Sequence, residues 1–234
     1  MTVSIVLTTF NRAAQLNNTL VSIVRQQYPD LEIIVVDDGC DALTPQVCGR
    51  YPVQYIRLNR PPSTAYRNPA IPNNIGIRRA KGDIIILQNA ECAHIDPNAI
   101  DRLANLVTDR NAVFAKVLAI SQRGTPIMWY CSRDERPLGY FFCGAMKRDR
   151  FERMRGFDED FTGSGFDDDD FQARLIYDRV DFVFSDILVH HQWHPPAGTM
   201  DYEPMKAVFE KKLTDMLAIR IGSVRNIGRE WGVL

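Results

Sequence analysis

The chain has 234 residues, 45% hydrophobic and 24% charged, with a net charge of −1. A chain of that length buries a sizeable core without disulfide or metal staples, and its balanced charge gives no basis for a nucleic-acid or anionic-membrane partner. No run approaches the ~20 apolar residues of a membrane-spanning helix. The N-terminal Met1–Phe10 run is too short for a secretory signal and lacks its basic region, so a cytoplasmic location is the expectation.

The five cysteines (Cys40, Cys48, Cys92, Cys131 and Cys143) are odd in number and form no Cys-x-x-Cys pair. Reduced, mostly buried thiols are expected rather than a disulfide framework or a cysteine zinc site.

Val3 to Leu7 is a β-branched run that ends at Thr8-Thr9-Phe10-Asn11-Arg12. Leu16, Leu20, Ile23 and Val24 then fall on one face of a helix, which Tyr28-Pro29-Asp30 stops. Leu31 to Val36 reads as a second buried strand ending at Asp37-Asp38-Gly39, and Val53 to Ile56 as a third. A loop rich in proline and asparagine runs from Asn59 to about Asn74, and a helix is predicted from Ile75 to Ala80. Lys81-Gly82-Asp83 marks a turn. Ile84 to Leu87, apolar on both faces, is a central strand that runs into Gln88-Asn89-Ala90-Glu91. Asp96-Pro97 opens a helix carrying Ile100, Leu103 and Val107.

Further on, Ala112 to Ile120 and Gly139 to Met146 read as strands. A Gly-Ser-Gly turn at 163–165 precedes Asp167-Asp168-Asp169-Asp170, which start a helix through Phe171, Leu175 and Ile176. Phe182–Phe184 and Ile187–Val189 are short apolar runs before His190-His191-Gln192-Trp193-His194. The tail from Ala207 is amphipathic and carries no evident chemistry.

Alternating strands and helices predict an α/β fold with an open, mostly parallel sheet. Ligands of such sheets bind beyond the carboxyl ends of the strands. Thr8-Thr9, Asp37-Asp38 and Gln88 to Glu91 stand at those ends.

Three constellations suit chemistry. Carboxylates at a helix start serve as caps, which accounts for one or two aspartates. Four in a row repel one another, and the flanking glycines admit a ligand, so a base, a sugar-hydroxyl acceptor or both is expected. Three histidines within five residues suggest a metal or phosphate role. The pleat sends His190 and His191 to opposite faces, so only one can share a site with Glu91. Glu91, at the tip of the central strand, could hold a metal against a diphosphate.

Together these segments resemble the GT-A glycosyltransferases, especially family 2. The resemblance rests on the opening strand through Arg12, on Leu31 to Gly39, and on Asn74 to Leu87. It rests also on Gly156 to Phe171, which is similar to the acceptor segment of the β-1,4-galactosyltransferases. The resemblance implies a GT-A, Rossmann-like sheet flanked by helices with a smaller mixed acceptor-side sheet. A nucleotide-binding part would span about 1–110 and an acceptor part about 111–204, with a helical tail over 205–234.

It implies an inverting hexosyltransferase that uses a nucleotide-sugar donor, UDP-linked because an Asp38 carboxylate, helped by Asp37, suits the uracil N–H. Thr8, Phe10, Arg12, Asn74, Gln88 and Asn89 would line the nucleotide site. Asp168 would be the base, and Asp167 would bind acceptor hydroxyls of a glycan, a lipid-linked or a protein-linked acceptor. Glu91 with His191, and His194 beside them, would hold Mn²⁺ or Mg²⁺.

The family's Asp-x-Asp becomes Gln88 and Ala90 in direct register, or Asn89 and Glu91 after a one-residue shift, which is favoured because it keeps a carboxylate. Ser164 stands where the galactosyltransferases carry a tryptophan. Two other readings remain: a nucleotide-sugar-binding module without catalysis, and a sugar nucleotidyltransferase. The latter ranks last because Thr8 to Arg12 holds no glycine.

Overall fold

The computed structural model describes residues 1–61, 66–196 and 198–234; residues 62–65 of the expected 59–74 loop lie outside it. The chain runs β1 (Val3–Thr9), α1 (Ala13–Val24), β2 (Leu31–Asp37), α2 (Leu43–Cys48), β3 (Gln54–Arg57), α3 (Ala70–Arg79), β4 (Ile84–Asn89) and β5 (Cys92–His94). It continues through α4 (Ala99–Leu106), β6 (Asn111–Ile120), β7 (Pro126–Tyr130), β8 (Cys143–Lys147), α5 (Arg148–Met154), α6 (Asp167–Tyr177), β9 (Asp181–His191) and α7 (Glu203–Leu217).

All strands join one nine-stranded sheet in the order β3-β2-β1-β4-β8-β6-β9-β5, with β7 paired to β6. β1, β2, β3 and β4 are mutually parallel, and Val3 aligns with both Leu31 and Ile84. β8 runs antiparallel to β4, which begins the mixed half. The later strands, expected to form a smaller sheet of their own, thus extend the main sheet. Only Ala90 and Glu91 separate β4 from β5, although β5 closes the far edge. The sheet therefore curls until that edge returns beside β4.

β1 is buried along its whole length, as a central parallel strand covered on both faces requires, and its Ser4, Thr8 and Thr9 are buried with its apolar residues. One core lies against α1 and α4, where Leu16, Leu20, Ile23, Ile100 and Leu103 meet the sheet. The other holds α3, α5 and α6 against the opposite face. Here Phe157 and Phe171 stack with centroids 4.4 Å apart, and Phe141 meets Phe171 edge-on. α3 lies so close that a Cβ at Gly76 would strike Val6.

Several elements depart from the sequence pattern. α3 begins at Ala70 rather than Ile75, taking in Pro72, Asn73 and Asn74. Asn74 is buried there because its amide bonds within the fold, to Phe157 and Glu159. β5, β7, α2 and α5 carry too few residues for a periodicity to show. β9 is one strand rather than two apolar runs. The tail is helical only to Leu217; from Ala218 to Leu234 the chain is irregular, with Trp231 entering the second core and Arg225 buried. Among the described residues no helix is long and apolar enough to cross a membrane.

Candidate active site

The carboxyl ends of β1, β2 and β4 open onto a cavity of about 420 Å³. Thr8, Thr9, Phe10, Arg12 and Asp38 form one side; Asn89, Glu91, His191 and His194 lie deeper; Tyr66, Tyr130, Phe142 and Tyr202 supply aromatic walls.

The deep end is set by sheet register. Cys92 of β5 pairs with His191 of β9, which brings the preceding Glu91 to the end of β9. The Gln192 N–H donates to the Glu91 carbonyl at 2.9 Å. Glu91 Oε1 lies 3.2 Å from His194 Nε2 and 3.7 Å from His191 Nε2. One ligand atom from each of the three falls within 4.8 Å of the others. His190 does not line the cavity.

Burial works against charge on Glu91, but the His194 hydrogen bond and the nearby His191 and Arg12 outweigh it and hold the carboxyl below its ordinary value. Burial lowers His191. It also opposes charge on His194, where bonds to Glu91 and the Pro195 carbonyl prevail and raise the pKa. Arg12, buried and lowered by desolvation, donates to the Pro195 carbonyl at 2.7 Å and pins the His194 segment. One carboxylate with two imidazoles, close enough to converge after small side-chain rotations, fits a divalent cation of borderline softness.

On the nucleotide side, Asp38 is 5% exposed and paired with two arginines. Arg60 donates through Nε at 2.6 Å and through Nη2, and Arg67 Nη1 lies 3.2 Å away. Among the described residues, three of the roughly four acceptor positions of the carboxylate are thus used, and one remains for a ligand N–H. The Arg67 guanidinium stands 5.8 Å from the Phe10 centroid. Thr9 Oγ1 is buried without a hydrogen-bond partner among the described residues, and Thr9 lines the cavity.

Three expected nucleotide contacts are corrected. Asp37 is fully buried, accepting from the Gly39 N–H at 2.8 Å and the Tyr55 hydroxyl at 2.6 Å, and burial raises its pKa. Asn74 is fully buried and brackets Phe157, donating to its carbonyl at 2.9 Å and accepting from its N–H at 2.7 Å. Gln88 is 1% exposed and bonds to His94 and Cys92. All three polar groups are consumed by the fold. Thr8, Phe10, Arg12, Asp38 and Asn89 do line the cavity.

The four aspartates diverge. Phe166, in the left-handed region at φ 66°, turns the chain into α6. Asp167 accepts from Asn68 Nδ2 at 3.0 Å, and Asp168 from the Phe141 N–H at 3.3 Å. Asp169 accepts from the Tyr140 hydroxyl at 2.5 Å. Asp170 pairs with Arg174 at 2.7 Å and Arg225 at 3.1 Å. Burial, only partly offset by the Asn68 bond, pushes Asp167 up to about 6. Burial and then the charge of Asp167 raise Asp168 well above the usual carboxylate range.

Neither Asp167 nor Asp168 lines the cavity, whereas Tyr66 does. Burial raises the Tyr66 phenol, and the charges of Asp167, Asp168 and Glu91 add to the rise. Tyr66, Arg60, Arg67 and Tyr202 are site residues that sequence reasoning missed. No motif marks them, since they lie in loops whose position only tertiary structure sets.

Among solved structures, Staphylococcus aureus TarS superposes with a TM-score of 0.69 at 16% identity, covering 93% of this chain and 40% of that one. A Pyrobaculum calidifontis mannosyltransferase, PcManGT, in complex with GDP-Man and Mn²⁺, gives 0.60 at 19% identity, covering 94% of this chain and 64% of that one. Hyaluronan synthase of Pasteurella multocida is 27% identical over 83% of this chain and 25% of its own length. The glycosyltransferase GlyG of Streptococcus pneumoniae is 27% identical over 47% of this chain and 36% of its own. The chain thus spans about a quarter to a third of these curated relatives. Residues 4–174, well over half of the chain, match the family model of glycosyl transferase family 2, and the chain belongs to that family.

Proposed function

We propose that this domain is an inverting glycosyltransferase that moves a sugar from a UDP-sugar to a hydroxyl of a glycan, lipid-linked or protein-linked acceptor. The observation that carries this reading is the convergence of Glu91, His191 and His194 in the same cavity as Thr8, Phe10 and Asp38. TarS has been solved in complex with UDP-GlcNAc, which supports a UDP-linked donor.

The remaining acceptor position of Asp38 would take the base N–H, with Phe10 and Thr8 bounding the base and ribose. Glu91, His191 and His194 would hold Mn²⁺ or Mg²⁺, which supplies positive charge to the departing diphosphate. Arg12, buried at the same end, adds a fixed cation. Asp168 takes the proton of the acceptor hydroxyl as its oxygen attacks the anomeric carbon, and Asp167 orients that hydroxyl. The raised pKa of the pair suits a base that must bind a proton during the step. Attack opposite the leaving group inverts the centre. Ser164, buried where the galactosyltransferases carry a tryptophan, points to a different acceptor.

A second reading, a nucleotide-sugar-binding module without catalysis, draws on one observation: Asp167 and Asp168 do not line the cavity. Calorimetric titration of UDP, GDP, CMP and dTDP, each with and without Mn²⁺, tests the proposal. UDP binding that requires Mn²⁺ is expected. Binding indifferent to Mn²⁺ removes the metal role, and no binding by any nucleotide sinks the proposal. Mn²⁺-dependent UDP binding without turnover of any UDP-sugar selects the second reading.

A further inference from the structure

Gln88 occupies the end of the central strand, three residues before Glu91, yet faces away from the cavity. Its side chain belongs to a buried line of hydrogen bonds whose direction is fixed from one end. The Ile100 N–H donates to Gln26 Oε1 at 2.9 Å, so the Gln26 amide nitrogen is the atom that meets His94 Nδ1, 2.7 Å away. Nδ1 of the imidazole is then the acceptor and Nε2 carries the hydrogen. His94 Nε2 donates to Gln88 Oε1 at 2.8 Å. That leaves Gln88 Nε2 to donate to the Cys92 carbonyl.

The line therefore runs from α4 through Gln26, two residues beyond the end of α1, and across the gap in the curled sheet. Gln88 sits on β4, where it pairs with Cys143 of β8, and its side chain grips β5 at Cys92. Cys92 is the ladder partner of His191 and the immediate neighbour of Glu91. From the other side Gln192 holds the Glu91 carbonyl through its backbone N–H at 2.9 Å and its side chain at 3.1 Å.

We infer that Gln88 is a positioning residue for the metal site: its amide, oriented by His94 and Gln26, fixes the Ala90-Glu91 turn so that the Glu91 carboxylate meets His191 and His194. A carboxylate at 88 would supply no donor for the Cys92 carbonyl, and an aspartate would be a methylene too short to span the gap. The neutral amide closes the turn, and metal binding passes to Glu91 at its end. This rests on the metal reading proposed above.

The test compares wild type with Gln88→Asn, which keeps the amide and shortens its reach, and with Gln26→Leu, which acts from the turn after α1 without touching the Glu91 turn. Mn²⁺ affinity is measured by electron paramagnetic resonance in saturating UDP, alongside thermal melting without metal. The expected result for Gln88→Asn is Mn²⁺ affinity weakened by about 10-fold, with metal-free UDP affinity unchanged. Gln26→Leu should lose less in the same direction, and it carries the test if Gln88→Asn does not fold.

Lower melting temperatures with unchanged Mn²⁺ affinity would make the line structural only and overturn the inference. Wild-type protein that binds no Mn²⁺ would instead fail the metal reading itself, and the positioning role with it.

Discussion

The turn carrying Glu91 and the turn carrying Asp167 and Asp168 both bury carboxylates, and they hold them in opposite states. Around Glu91, two imidazoles and Arg12 outweigh burial and keep the group ionised at an acid pH where an ordinary carboxyl takes up its proton. Around Asp167 and Asp168 no arginine or lysine forms an ion pair among the described residues, and burial with mutual repulsion favours the protonated form. In the proposed function the same chemical group would be a charged ligand in the first setting and, once ionised, a proton acceptor in the second. The difference lies in which neighbours survive desolvation, since an opposite charge at a few ångströms gains most where water is excluded.

The largest expected effect tests the acidic turn. Asp168→Asn should lower sugar transfer by about 10²- to 10⁴-fold, the usual range for removing a positioned base. UDP and Mn²⁺ affinity should stay near wild type. A mutant that binds UDP poorly would show that Asp168 supports the donor site instead.

Two residues along, Asp170 should behave differently although it belongs to the same run. Its carboxylate neutralises the fully buried Arg174, which also donates to the Gly156 carbonyl at 3.0 Å. Asp170→Asn strands that cation and should cost about 3–5 kcal/mol of stability, read by urea unfolding, while folded protein keeps its Mn²⁺ affinity. An unchanged urea midpoint would contradict the structural role.

At the other turn, Glu91→Ala should weaken UDP binding in Mn²⁺ to the level seen without it, a loss on the order of 100-fold. His191→Ala and His194→Ala should each lose part of that gain. Retention of the full Mn²⁺ response in Glu91→Ala would place the metal elsewhere.

Much of the parallel half was legible because its signals are local. β1, α1, β2 and β4 each carry enough apolar residues in one period to declare themselves, and the strand-end rule then located the cavity. The carboxylate turns were visible as clusters. The fate of individual polar residues was not. Asp37 and Asp38 are neighbours of one type, yet one is consumed by Tyr55 and Gly39 and the other faces the cavity. Asn74 sits in a segment that reads as loop but is helix, because its amide is satisfied by Phe157, a residue far along the chain. Tyr66 gave no signal at all, since its place on the cavity wall depends on a loop settling against the 199–202 segment, where its N–H donates to the Thr199 carbonyl at 3.1 Å.

The smallest effect is the sharpest on the comparison, because activity and stability should move in opposite directions over one pH window. Asp167 carries a pKa raised from 3.8 to about 6. Between those values the folded protein holds a proton that the unfolded chain has released, so stability falls as pH rises through the window. Asp167 accepts from the acceptor hydroxyl best once its own proton is gone, so transfer should rise as pH climbs through the same range. Glu91, with its lowered pKa, contributes the other way and only at lower pH, where acid removes the stability its charge supplies. Melting curves of wild type and Asp167→Asn from pH 4.5 to 7.5 isolate the acidic pair. The mutant should lose the downward slope, a difference of order 2 kcal/mol across the window. Parallel curves would mean that Asp167 titrates as an ordinary carboxyl, and the contrast between the two turns would then rest on Asp168 alone.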